Sequence, residues 1–139
     1  MNPLTLTFHP QAWLKLQYLC HSVSTEIGGW GITLPGTLDI IDFKLPKQNV
    51  STVHTYFDEA NVVHCAEEWC KQGKSLENLL RVWIHTHPGY SAHPSHMDEE
   101  TFKGNFGNYS WSIMFILARG GETYCRLQSK IPTPFTENI

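Results

Sequence analysis

The sequence predicts an α+β fold. Three observations carry that expectation. Short runs are apolar either at every second position or almost continuously, as strands are. Two longer stretches place apolar residues at helical spacing. Glycine and proline punctuate the junctions between them. No internal repeat or linker divides the 139 residues. Residues 1–130 therefore read as one domain, large enough to bury a single core. Residues 131–139, "IPTPFTENI", hold two prolines and read as an extended C-terminal tail.

"LTLTF" (4–8) alternates like a short strand, and His9-Pro10 then opens a helix in which Trp13, Leu16 and Leu19 recur with Cys20 beside them. "TEIGGWGITL" (25–34) is an apolar, glycine-rich strand. It turns at Pro35-Gly36 into a further strand, "TLDIIDFKL" (37–45). "NVSTVHTYF" (49–57) reads as another. From Asp58 to Lys74 the spacing is helical, with Val62, Ala66, Trp69 and Cys70 as the apolar stripe, Asp58 as a cap and a charged, solvated opposite face. "LLRVWIHTH" (79–87) is the next strand, followed by a polar loop and a short helix near 95–104. "SWSIMFILA" (110–118) is apolar throughout, as a strand buried on both faces must be. Gly120-Gly121 turns it into "ETYCRLQ" (122–128) as a hairpin.

Composition narrows the function. Hydrophobic residues make up 41% and charged residues 17%, which suits a folded chain. The net charge is −3 and the ten basic residues are scattered, so neither a nucleic acid nor an anionic membrane is an expected partner. Cys20, Cys65, Cys70 and Cys125 contain no C-x-x-C pair and read as reduced, mostly buried thiols, with Cys65 and Cys70 on different faces of their helix. The N-terminus lacks the pattern of a signal peptide, and no apolar run reaches the eighteen or so residues of a membrane span. The expected location is the cytoplasm.

The chemistry is concentrated in "VWIHTHPGYSAHPSHMDEE" (82–100), which holds four of the eight histidines. On a strand, His85 and His87 point to the same face and can converge on one ion. Pro88 ends the strand. Asp98, in the first turn of the following helix, is placed to return to that face. Two imidazoles and a carboxylate suit Zn²⁺ and leave a fourth position for water, the pattern of a catalytic rather than a structural site. Chance alone supplies about 0.4 H-x-H pairs in such a composition, so the pair by itself is weak. Ser95-x-x-Asp98 also reads simply as a capping box. His93 and His96 read as exposed loop residues or as groups touching ligand or substrate. Glu26 is a charge within the apolar "STEIGGWGIT", either an exposed strand-end residue or a functional carboxylate, and Gly28-Gly29 beside it signals a close backbone or ligand approach. Trp83 and Trp111 read as core.

Taken together, His85, Thr86, His87, Pro88, Ser95 and Asp98 form H-[ST]-H-P-x(6)-S-x-x-D. That pattern resembles the signature of the JAMM (MPN-plus) zinc metalloproteases, and Glu26 lies in an E-x-G context similar to that of the family's upstream glutamate. The resemblance extends over most of the chain. It implies a JAMM/MPN-like, cytidine-deaminase-like α-β-α arrangement around a mixed, curved sheet. It also implies one Zn²⁺ held by His85, His87 and Asp98, Glu26 as general base and then acid, and Ser95 helping to stabilise the oxyanion. The implied activity is that of an isopeptidase or peptidase cutting at the C-terminal Gly-Gly tail of a ubiquitin-like or sulfur-carrier-like protein. Only about a dozen residues separate Asp98 from the strand at Ser110, where eukaryotic deubiquitinases of the family carry a longer insertion. A minimal, prokaryotic-type member is therefore implied. Two alternatives stand beside it: a non-catalytic MPN-type binding module, which is of another class, and a zinc peptidase acting on small, cell-wall or phage-tail peptides, which keeps the chemistry and changes the substrate.

Overall fold

The computed structural model describes residues 3–46, 59–76 and 79–139. Its elements are β1 (Thr7–Phe8), α1 (Pro10–Ser22), β2 (Gly28–Thr33), β3 (Asp39–Lys44), α2 (Glu59–Lys71), β4 (Val82–His87), α3 (His96–Phe106), β5 (Trp111–Ala118), β6 (Thr123–Ser129) and β7 (Phe135–Asn138). The strands form one mixed sheet in the order β1-β3-β2-β4-β5-β6-β7. β1 pairs with β3 and β4 with β5 in parallel, and the other neighbours are antiparallel. The strand expected at 49–57 and the cap expected at Asp58 lie outside the described residues.

The sheet is covered on both faces. Ala12, Leu16 and Cys20 of α1 pack with Ile40, Phe43, Val82, Ile84, Ile113 and Phe115. Cys65 and Trp69 of α2 and Phe102 and Phe106 of α3 pack with Trp30, Trp83, Met114 and Ile116 in a second cluster. Alternation sorts the strands between the two: Val82 and Ile84 face α1, while Trp83 faces α2 and α3. β4 and β5, at the centre, are buried almost throughout, which explains their continuous apolar sequence. On α2 the buried stripe runs through Cys65 and Trp69, with Cys70 exposed rather than part of it.

Two further differences from the sequence reading have clear causes. β2 begins at Gly28, so Glu26 lies in the segment leading into the strand and not within it. The stretch after Lys130 is extended as expected, but it does not hang free: Phe135–Asn138 pairs antiparallel with Arg126–Ser129 as the edge strand β7. Both prolines, Pro132 and Pro134, precede it, so none of its ladder donors is lost. Gly29 bears out the close approach expected there, since a methyl group on it would overlap the carbonyl oxygen of Lys44 on β3.

Candidate metal centre

β4 is buried on both faces and carries His85 and His87 at its C-terminal end, facing the α2–α3 side. The His85 ring is fully buried and stacks on Trp83 with centroids 4.1 Å apart and planes at 21°. Trp83 stacks in turn on Phe106 at 5.8 Å. The indole that reads as core thus also sets the orientation of the imidazole.

α3 brings the carboxylate. Ser95 is its N-cap, with the Ser95 hydroxyl accepting from the Asp98 amide at 3.1 Å and Asp98 Oδ2 accepting from the Ser95 amide at 2.7 Å. This is a complete capping box. The same carboxylate faces both imidazoles: Oδ1 lies 3.1 Å from His85 Nε2 and Oδ2 lies 3.2 Å from His87 Nε2. The capping and ligand readings of Asp98 are therefore one geometry. The cap holds the carboxylate at the histidine face.

Ligand atoms of His85, His87 and Asp98 all lie within 4.8 Å of one another, and all three residues are buried. Their chemistry fits a metal ion on two counts. His87 Nδ1 lies 3.0 Å from the carbonyl oxygen of Ser91, which can only accept, so Nδ1 carries the proton and the neutral ring presents its Nε2 lone pair to Asp98. A lone pair facing a carboxylate oxygen needs a proton or a cation between them. In addition, His85 Nε2 is buried and close to Asp98 Oδ1 without the alignment of a hydrogen bond, and its Nδ1 also lacks one among the described residues. A buried polar nitrogen without a hydrogen bond is costly, and coordination would satisfy His85 Nε2.

The electrostatics follow from the same contacts. Burial pushes the His85 ring below its ordinary pKa, and the neighbouring Asp98 only partly compensates. At His87 burial is outweighed by Asp98, the Ser91 carbonyl and Glu26, and its pKa is raised. Burial would also raise the Asp98 carboxyl, but the two imidazoles and the Ser95 amide hold it far below the usual carboxylate range. Asp98 is therefore ionised across the neutral range.

Glu26 stands at the open side of this cluster, its Oε1 4.0 Å from His87 Nε2 and its side chain 31% exposed. It is close enough to act on a water at the site and accessible enough to exchange protons with solvent. The sequence-derived residues His85, His87, Asp98, Ser95 and Glu26 are thus brought together. His93 and His96 are not: both are exposed, and His96 pairs with Glu100 at 3.6 Å on the surface of α3. Two contributors escaped the sequence reading. Ser91 acts through its carbonyl, which leaves no side-chain signal. Glu122 accepts from the Ala92 amide at 3.1 Å and ties the loop after β4 to the β5–β6 turn. Two described hollows, of about 610 and 470 Å³, are lined by residues such as Lys74 and Asp42 or Trp111 and Phe135, away from this cluster. Chemistry, not volume, singles out the site.

No family model matches this sequence, and no curated protein matches it. Among solved structures, the solution structure of protein DSY2949 from Desulfitobacterium hafniense, a structural-genomics target, is similar with a TM-score of 0.68. The match covers 97% of this chain and 90% of that one at 14% identity. At that identity the likeness concerns the fold, and it shows that this α+β arrangement is shared.

Proposed function

We propose that this chain is a minimal, prokaryotic-type JAMM (MPN-plus) zinc isopeptidase or peptidase. In this reading it hydrolyses the amide bond at the C-terminal Gly-Gly tail of a ubiquitin-like or sulfur-carrier-like protein. The observation that carries the reading is the convergence of His85, His87 and Asp98, with Glu26 4.0 Å from His87 on the open side. His85, His87 and Asp98 would hold the ion; zinc bound there supplies Lewis acidity and lowers the pKa of water to about 7. The chain's own residues do the rest. Asp98 stays ionised because the imidazoles and the Ser95 amide hold its charge. The Ser91 carbonyl fixes the His87 tautomer. Glu26, partly exposed, takes a proton from the attacking water and returns it to the leaving amine. Ser95 Oγ already accepts from the Asp98 amide, which leaves its own proton free to donate to the developing oxyanion. The four cysteines form no disulfide, in keeping with a reducing compartment such as the cytoplasm.

The test compares wild type with Glu26→Gln on Lys-linked diubiquitin and on fusions carrying candidate Gly-Gly-tailed proteins, with zinc measured in both. Cleavage by wild type and a loss of at least about 10²-fold in the variant at equal zinc is the expected result. Zinc bound but no cleavage of any candidate would favour small or cell-wall peptides as substrates. A wild type that takes up no zinc would leave a binding module of the same fold.

A further inference from the structure

Beyond the β2–β4 ladder, the Glu26-bearing segment meets β4 at Thr86. The antiparallel ladder between β2 and β4 runs from Gly31↔Val82 to Gly28↔His85, and the next opposed pair is Ile27 and Thr86. There the Thr86 amide donates to the Ile27 carbonyl at 2.8 Å, as a ladder requires. The reciprocal bond is different: the Ile27 amide donates to the Thr86 hydroxyl at 3.0 Å instead of to a backbone carbonyl. Both residues are buried, Thr86 at 2% and Ile27 at 6% exposure.

The substitution of a side-chain acceptor at this point has a geometric result. The chain leaves the sheet at Ile27, while two hydrogen bonds from a single residue still fix both its position and its rotation. The next residue back is Glu26, whose carboxylate then stands 4.0 Å from His87. Thr86 lies between His85 and His87, so the carboxylate is positioned against the strand that carries both imidazoles and not against a separate loop. Serine also supplies such an acceptor; valine has the same branched shape and none.

We infer that Thr86 is a positioning residue: its hydroxyl, by holding the Ile27 amide, aims the Glu26 carboxylate at the metal centre. The inference rests on the hydrolytic reading proposed above for its kinetic consequence, but its structural content can be measured without any substrate.

The experiment uses the full chain, zinc-loaded, as wild type, Thr86→Val and Thr86→Ser. In Thr86→Val the Ile27 amide exchanges with solvent at least about tenfold faster while Trp30 and the β4–β5 amides keep their protection, and a crystal structure finds Glu26 displaced from His87. Zinc stoichiometry is unchanged. With a cleaved substrate in hand, kcat falls by about 10²-fold at nearly constant KM, Thr86→Ser restores it, and the Val change has no further effect in a Glu26→Gln background. A residue that only stabilised the fold would instead weaken all β2 amides together and be additive with Glu26→Gln. Glu26 unmoved in Thr86→Val, or Ile27 still protected, overturns the inference. If Thr86→Val does not fold, the wild-type Ile27 amide decides: protection like that of Trp30 supports the bond, and exchange at the rate of an open amide removes it. Absence of hydrolysis by wild type would count against the isopeptidase reading alone, since Ile27 protection and the place of Glu26 are read independently.

Discussion

His85 and His87 are two residues apart on one strand, yet the protein shifts their basicity in opposite directions. His85 is wholly buried against Trp83, where charge is penalised and its pKa falls. For His87 the same penalty is exceeded by Asp98, Ser91 and Glu26, and its pKa rises. The sign of each contribution to stability follows. The unfolded chain titrates both near about 6.5. Below that value it takes up a proton that folded His85 refuses, so the His85 contribution is lost as pH falls. The His87 contribution is fully present below about 6.5 and is lost as pH rises through its raised pKa. Asp98 contributes above about 3.9 and loses its contribution only as pH falls through its lowered pKa, so it is constant across the neutral range. The metal-free protein should therefore show a histidine-linked maximum of stability near pH 6.5. Thermal unfolding from pH 5 to 8 checks this, and Asp98→Asn, which removes the charge that raises His87, should flatten the alkaline limb.

α3 shows how one helix start serves two ends. Ser95 and Asp98 cap each other, and the cap turns the carboxylate to the imidazoles. Ser95→Ala removes one of the two reciprocal bonds and should cost about 1 kcal/mol. That corresponds to roughly 3–5 °C in the thermal midpoint of a domain of this size. If its hydroxyl also donates to the oxyanion, turnover falls by about 10²-fold with zinc still bound, because no ligand has been removed. Ser95→Asn, a residue equally good at capping, should recover much of the stability; calorimetry beside zinc assay and kinetics separates the two roles. The sequence pattern made this element readable, since a capping box has a fixed spacing. The H-x-H strand was readable for the same reason: period two places both rings on one face. What spacing could not give was the exact start of β2, because the ladder ends where a threonine hydroxyl takes the place of a backbone carbonyl, a choice made by tertiary contact. β7 was read as a tail because two prolines precede it and its own residues carry no apolar alternation. Its partner, the open edge of β6, is supplied by the rest of the sheet.

Across the whole molecule, the candidate metal centre sits where the sheet meets the α2–α3 layer: two of the residues that could hold an ion come from β4, and the third comes from α3. Apolar clusters cover both faces of the sheet, so the core itself does not draw on the ion. An ion bound to the three residues would nonetheless join strand to helix and stabilise the folded state by mass action, about 2.7 kcal/mol at free zinc a hundredfold above its Kd. Zinc should raise the thermal midpoint, a chelator should reverse the rise, and Asp98→Asn or His87→Ala should abolish most of it. Its pH dependence runs opposite to that of His87 in the stripped protein. Coordination needs neutral imidazoles, so protons compete with zinc, and they do so first at His87, whose pKa is raised. The zinc-induced increment should be largest above the raised His87 pKa and shrink as pH falls through it. The loaded protein's stability maximum then lies on the alkaline side of the stripped protein's. Paired melting curves with zinc and with chelator at each pH test this directly. An increment that stayed level between pH 5 and 8 would mean that the ion binds somewhere other than His85, His87 and Asp98.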